Sequence, residues 1–81
     1  MNEQTYTIIV NASEKQWGEH KISYEQVVVL AFGSYTDDPN APYIVSYYKK
    51  EDKKHEFSLV KGQEAPVKDG MIFNVSQTNK S

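Results

Sequence analysis

The chain is short, weakly acidic and free of cysteine, and these properties exclude several classes of protein. Its 81 residues suffice for one hydrophobic core, so a single domain is expected. The absence of cysteine excludes a disulfide framework, a cysteine zinc site and a thioester carried on this chain itself. The nine basic residues are all lysine and the formal net charge is −2, a composition that argues against nucleic-acid binding.

No segment of the sequence has the pattern of a membrane span or of a secretory signal. The longest uninterrupted apolar run, residues 27–32, is far too short to cross a bilayer. The three residues after Met1 are all polar, and this start does not have the pattern of a secretory signal peptide. We therefore expect a cytoplasmic protein that has no membrane partner.

Two strands are predicted at the start of the chain. Residues 5–10 are all β-branched or aromatic, a pattern typical of a strand. Asn11 and Ala12 form a turn signal, although a weaker one than Asn-Gly would be. Residues 14–19, around Trp17, then predict the returning strand of a hairpin.

A helix is predicted next, with signals at both of its ends. Ser23 followed by Gln26 fits a capping box, and Gly33 supplies a left-handed stop just after Phe32. Val29 falls on the polar side of this helix. The apolar residues that recur at helical spacing predict one buried stripe, which consists of Tyr24, Val27, Val28 and Ala31.

Three further strands complete the predicted order β-β-α-β-β-β. They cover residues 43–48, 55–60 and 71–75, each rich in β-branched or aromatic residues. The charged stretch 49–54 is predicted to be a solvated turn, and residues 61–67 are predicted to be irregular.

One helix after a first hairpin, in so short a chain, must cover one face of a mixed sheet. Connections stay short if the last strand lies beside the first, parallel to it, in the centre of the sheet. This arrangement is an α+β fold of the β-grasp type. The inward residues of each element then predict one shared core, formed by Tyr6, Ile8, Val27, Ala31, Leu59, Met71 and Phe73.

Three segments of the chain, residues 21–32, 43–50 and 68–75, resemble the bacterial multiubiquitin-domain family. The resemblance implies a ubiquitin-like β-grasp domain, found singly or in tandem. It also implies partners that resemble E1 and E2 enzymes and a processing peptidase. The sequence departs from the family pattern at Asn11-Ala12, where Asn-Gly is usual, and it lacks the Gly-Gly ending that ubiquitin carries.

Two functions remain open at this point. The chain is either a protein modifier, activated at its C-terminal carboxyl by an E1-like enzyme and conjugated to target proteins, or a non-covalent interaction module, possibly one unit of a tandem array. In both cases residues 1–75 are expected to form the domain and residues 76–81 a flexible tail, and in the first case Ser81 is the attachment residue. The alternative for Ser81 is a boundary inside a longer or tandem protein.

Strand alternation also predicts a partner-binding patch. If the odd-numbered residues of the strand 43–48 face the helix, Ile44 and Tyr48 lie on the open face of the sheet, where Ile72 can join them. His20 and His55 lie in different hairpins without a nucleophile or acid at a recognisable spacing. We therefore expect no catalysis, and neither a cofactor, a metal nor a small-molecule substrate.

Overall fold

Two sheets and one helix make up the part of the chain that the structure, a computed structural model, describes: residues 5–78. In chain order the elements are β1 (Tyr6–Val10), β2 (Ser13–Trp17), β3 (Lys21–Ser23), α1 (Tyr24–Phe32), β4 (Tyr43–Lys49), β5 (Asp52–Leu59), β6 (Glu64–Pro66) and β7 (Ile72–Gln77). No helix among the described residues is long and apolar enough to cross a membrane.

The main sheet has five strands in the order β2-β1-β7-β4-β5. β7 runs parallel to β1 and antiparallel to β4, and the two outer pairs are antiparallel hairpins. The last strand therefore lies in the centre of the sheet beside the first, where short connections favour it. The mixed sheet with one helix confirms the predicted α+β class.

The helix has the ends that its sequence predicts. The Ser23 side chain accepts a hydrogen bond from the Gln26 backbone N–H, and the Gln26 side chain accepts one from the Ser23 N–H, which completes a capping box. Gly33 follows α1 with φ 85°, a left-handed conformation that glycine adopts without steric cost. Val29 is 43% exposed, as expected for the polar side.

One core lies between α1 and the main sheet, and the predicted set is confirmed. Five of its members are buried, and Tyr6 and Ala31 are partly buried and pack against them. The residues buried in this core are Ile8, Val10, Ile22, Tyr24, Val27, Val28, Val45, Leu59, Ala65, Val67, Met71, Phe73 and Val75. The inward phase assigned to β1, β4, β5 and β7 is therefore correct.

The charged turn and the irregular segment are both shorter than predicted. β5 begins at Asp52, because Lys49 pairs with Asp52 across a tight turn and the ladder extends into the lysine-rich stretch. Within residues 61–67, β6 pairs with β3 to form a second, two-stranded sheet. Its central pair joins Ile22 to Ala65, and both side chains are fully buried.

The last strand extends beyond the point where the sequence predicts its end. β7 continues to Gln77 because Ser76 and Gln77 still pair with β4, and the Thr78 N–H donates to the Pro42 carbonyl at 2.9 Å. The strand end predicted at Val75 is therefore wrong by two residues, and the tail predicted from residue 76 overlaps the sheet. Apolar alternation stops at Val75, whereas backbone pairing, which needs no apolar side chain, does not.

The turn between β1 and β2 places two non-glycine residues in the left-handed region, and it offers a test. Asn11 has φ 50° and Ala12 has φ 68°. Asparagine tolerates this region, but the Cβ of alanine makes it costly. We expect Ala12→Gly to raise the free energy of unfolding by about 1 kcal/mol, measured by urea denaturation.

The control for this substitution is Ala41→Gly, in the loop before β4. Ala41 does not have a positive φ, so glycine there only increases the entropy of the unfolded chain and should not stabilise the domain. Equal effects of the two substitutions would contradict the strain assigned to Ala12.

Candidate partner-binding face

The face of the main sheet that points away from α1 carries the residues of the predicted patch. Val45 and Phe73 are buried toward the helix, so their strand neighbours Ile44 and Ile72 point to the other side. Ile44 is 55% exposed, and Tyr48 and Ile72 are half-buried. The structure thus places all three predicted patch residues on the open face.

Strand register brings two of these three residues together and leaves the third apart. Tyr48 on β4 is the direct partner of Ile72 on β7. Ile44 instead faces Ser76, and the polar pair Ser46–Asn74 lies between the two rows. Ile44 and Tyr48 are four positions apart along β4, a span of about 13 Å. The predicted patch is therefore one apolar pair and one separate isoleucine.

A third apolar residue, which is not among the predicted patch residues, extends the apolar pair. Ile9 on β1 is the parallel partner of Ile72 and is half-buried on the same face. We call Ile9, Ile72 and Tyr48 the open-face row, because they are consecutive partners across β1, β7 and β4. Alternation alone places Ile9 on the outer side of β1, but its position beside Ile72 depends on the β1–β7 register.

Charged side chains border one end of the open-face row. A shallow cavity of about 490 Å³ adjoins Ile9 and Ile72. The Asp69 carboxylate at this cavity is already engaged, since its Oδ1 accepts a 2.8 Å hydrogen bond from the Thr7 N–H. The polar and charged residues that line the cavity beside the row are Thr7, Glu14, Lys50, Lys53 and Asp69.

The two histidines lie on the surface, each with one hydrogen-bond partner. His20 Nδ1 and the Tyr6 hydroxyl are 2.8 Å apart, and His55 Nδ1 lies 2.6 Å from Asp52 Oδ2. The hydrogen bond with His55 lowers the pKa of the Asp52 carboxyl. Among residues 5–78 no group of three or more histidine, aspartate or glutamate side chains is arranged to hold a metal ion.

Comparison with known families decides the relationship of this chain. A family model described as multiubiquitin matches residues 6–79. The chain belongs to the multiubiquitin family. All three segments on which the sequence resemblance rests lie within the matched range, so the predicted family is confirmed. No curated protein and no solved structure matches the chain at a significant level.

The last described residues of this multiubiquitin domain are held at the rim of the sheet. The Gln77 side-chain amide donates to the Ala41 carbonyl at 3.1 Å, and the Thr78 hydroxyl donates to the Pro42 carbonyl at 3.2 Å. The chain therefore leaves the sheet beside the loop that precedes β4. Ser81, the predicted attachment residue, lies outside the described residues.

Proposed function

We propose that this multiubiquitin domain is a protein modifier that works in the bacterial cytoplasm. An E1-like enzyme activates its C-terminal carboxyl, an E2-like enzyme passes it on, and target proteins receive it, with a processing peptidase to expose or release the end. The position of β7 carries the proposal. This central strand delivers the chain to the rim of the sheet at Thr78, so a carboxyl beyond it is reached without opening the core.

The proposed chemistry divides between this chain and its partners. The carboxylate attacks the α-phosphorus of ATP, pyrophosphate leaves, and an acyl adenylate forms. A cysteine thiolate of the E1-like enzyme then attacks the acyl carbon, AMP leaves, and a thioester forms. The sulfur must come from the partner, because this chain contains no cysteine.

The test is adduct formation at a free carboxyl on Ser81. With a cognate E1-like enzyme, ATP and magnesium, the chain that ends at Ser81 should give a covalent adduct that hydroxylamine cleaves. Deleting residues 79–81, or adding a folded tag to the end, should abolish the adduct. Neither change touches the hydrogen bonds of Gln77 and Thr78, so the thermal melt should stay the same.

A second candidate function, a non-covalent interaction module within a tandem array, is favoured by the exposed apolar residues of the open face. Ile44 is 55% exposed and does not belong to the core, and large exposed apolar side chains are common anchors of interfaces. If the chain that ends at Ser81 gives no adduct while the tagged chain binds its partners equally well, this second function replaces the first.

Binding through the open face has its own test. Ile44→Ala should melt like the parent, because Ile44 lies outside the core, and should weaken partner binding by about 1 kcal/mol or more in a calorimetric titration. Phe32→Ala is the control, since Phe32 is 49% exposed at the end of α1, on the helix side of the sheet. Equal affinities of the two variants would place the interface elsewhere.

A further inference from the structure

A groove with an apolar lining runs between the end of β2 and the outer side of α1. Its volume is about 200 Å³. Val29, 43% exposed, is a large apolar side chain on this side of the helix that the core does not use. We call this the indole groove; its lining residues are Trp17, Glu25, Gln26, Val29 and Leu30.

The indole groove continues into a wider cavity that has charged residues in its lining. Trp17 and Gln26 line both, and the second cavity has a volume of about 680 Å³. Its further lining residues are Gly18, Glu19, His20, Lys21 and Glu64. An extended segment that lies along the two cavities would therefore meet an apolar surface first and a charged one next.

The residues shared by the two cavities are held in place before any partner binds. The Trp17 indole Nε1 donates to the Lys21 carbonyl at 2.8 Å, which fixes the ring. The Gln26 side chain is held by the capping box, where its Oε1 accepts from the Ser23 N–H at 2.9 Å. A fixed wall lowers the entropy that a bound segment must overcome.

The charged rim of the groove is predominantly negative. Glu19, Glu25 and Glu64 line the two cavities, against one lysine, Lys21. Within residues 5–78 the ion pairs are His55 with Asp52 and Lys61 with Asp37, so none of the three glutamates has an ion-pair partner there. These carboxylates are available to a cationic ligand.

We propose that the indole groove is a second docking site of this domain, for a partner segment in which aliphatic side chains are followed by lysine or arginine. The aliphatic side chains bury against Trp17, Val29 and Leu30, and the cations reach the glutamates of the rim. The site lies apart from the open-face row and from the C-terminal end, so the proposal goes beyond the proposed function and does not depend on it.

The probe for this site is an acetylated, amidated peptide, Gly-Leu-Leu-Lys-Lys-Gly, added to the ¹⁵N-labelled chain. Trp17 is the one tryptophan of the sequence, so its fluorescence and its indole N–H resonance report on the groove directly. We expect saturable changes at Trp17, Val29 and Leu30. Raising the salt concentration from about 0.05 to 0.5 M should weaken binding several-fold, because exposed charges are screened.

Two control peptides separate the apolar from the charged contribution. Gly-Leu-Leu-Glu-Glu-Gly should bind far more weakly because the negative rim repels it, and Gly-Ser-Ser-Lys-Lys-Gly should bind weakly because it lacks the aliphatic side chains. Equal binding of all three peptides would overturn the proposal. So would changes confined to Ile9 and Ile72, which lie on the other face.

Variants of the chain give a matched comparison. Val29→Ser should weaken binding at least about fivefold, whereas Val60→Ser, an equally conservative change at a similarly exposed valine, should leave it unchanged. The double change Glu25→Gln and Glu64→Gln should remove most of the salt dependence. Loss of affinity in Val60→Ser, or full salt dependence in the double variant, would contradict the assigned site.

A second copy of this chain is the competing occupant, because the β4–β5 hairpin carries a cluster of lysines at its tip: Lys49, Lys50, Lys53 and Lys54. In that case the Trp17, Val29 and Leu30 resonances would shift with protein concentration in the absence of peptide. Sedimentation would then show association that Val29→Ser abolishes. This result would assign the groove to self-association and overturn the proposed heterologous partner.

Discussion

Replacing Phe73 by alanine is expected to lower the free energy of unfolding by about 3–5 kcal/mol. Phe73 is fully buried on the central strand β7. Its ring packs against Tyr47, with the ring centroids 5.4 Å apart. Truncation removes these contacts and leaves a cavity under the helix. Domains of this kind have a total stability of about 5–15 kcal/mol, so the variant should be largely or partly unfolded near physiological temperature.

Urea denaturation followed by circular dichroism measures this loss. Phe32→Ala serves as the control, because Phe32 lies at the end of α1 and is 49% exposed. We expect the control to lose much less stability, although its ring lies 5.7 Å from that of Tyr43. If Phe73→Ala melted like the parent, the inward phase of β7 would be wrong.

Asn11→Ala is expected to cost about 2–3 kcal/mol, a large effect for a turn residue. The Asn11 side chain donates to the Val75 carbonyl at 3.0 Å, and its Oδ1 accepts from the Val75 N–H at 2.8 Å. Val75 is buried, so alanine would leave two backbone groups there without these partners. Alanine would also occupy a left-handed conformation, with φ 50°, that asparagine tolerates better.

Two further substitutions separate the causes of this loss. Asn11→Gly keeps the left-handed conformation and removes only the hydrogen bonds, so it should recover part of the stability. Asn11→Asp retains an acceptor for the Val75 N–H but sets a carboxylate oxygen against the Val75 carbonyl, so it should not restore the parent stability. A glycine variant as stable as the parent would show that the two hydrogen bonds contribute nothing net.

The helix could be predicted to the residue because its signals are local. Ser23 and Gln26 act within one turn of each other, Gly33 directly follows the last helical residue, and each works through backbone groups close to it in sequence. The strand faces could be predicted for a similar reason, since alternation along β1 or β4 is visible within a few residues. The helix signals and the strand alternation together were enough to predict most of the buried core residues.

Pairing between distant strands could not be predicted in the same way. β6 is three residues long and includes Pro66, so nothing local marks it as the partner of β3. Asn11 was predicted only as a turn residue, whereas its side chain bonds to Val75, 64 residues away. Such contacts depend on the assembled sheet, and a local pattern carries no signal for them.

The same limit applies to the candidate site. Alternation placed Ile44, Tyr48 and Ile72 on the correct face, but it could not show that Ile44 lies one polar row away from the other two. Register also adds Ile9, whose neighbour in the sheet is 63 residues further along the chain. The indole groove was missed entirely, because it forms where the end of β2 meets the outer side of α1.

The central position of β7 also determines when this domain acquires its structure during synthesis. The β1–β2 and β4–β5 hairpins leave the ribosome first, and they have no common neighbour until β7 joins them. A hairpin alone is marginally stable in water. The sheet therefore assembles only after Gln77 has cleared the exit tunnel, in one late step, and a nascent chain stalled before that point should remain sensitive to protease.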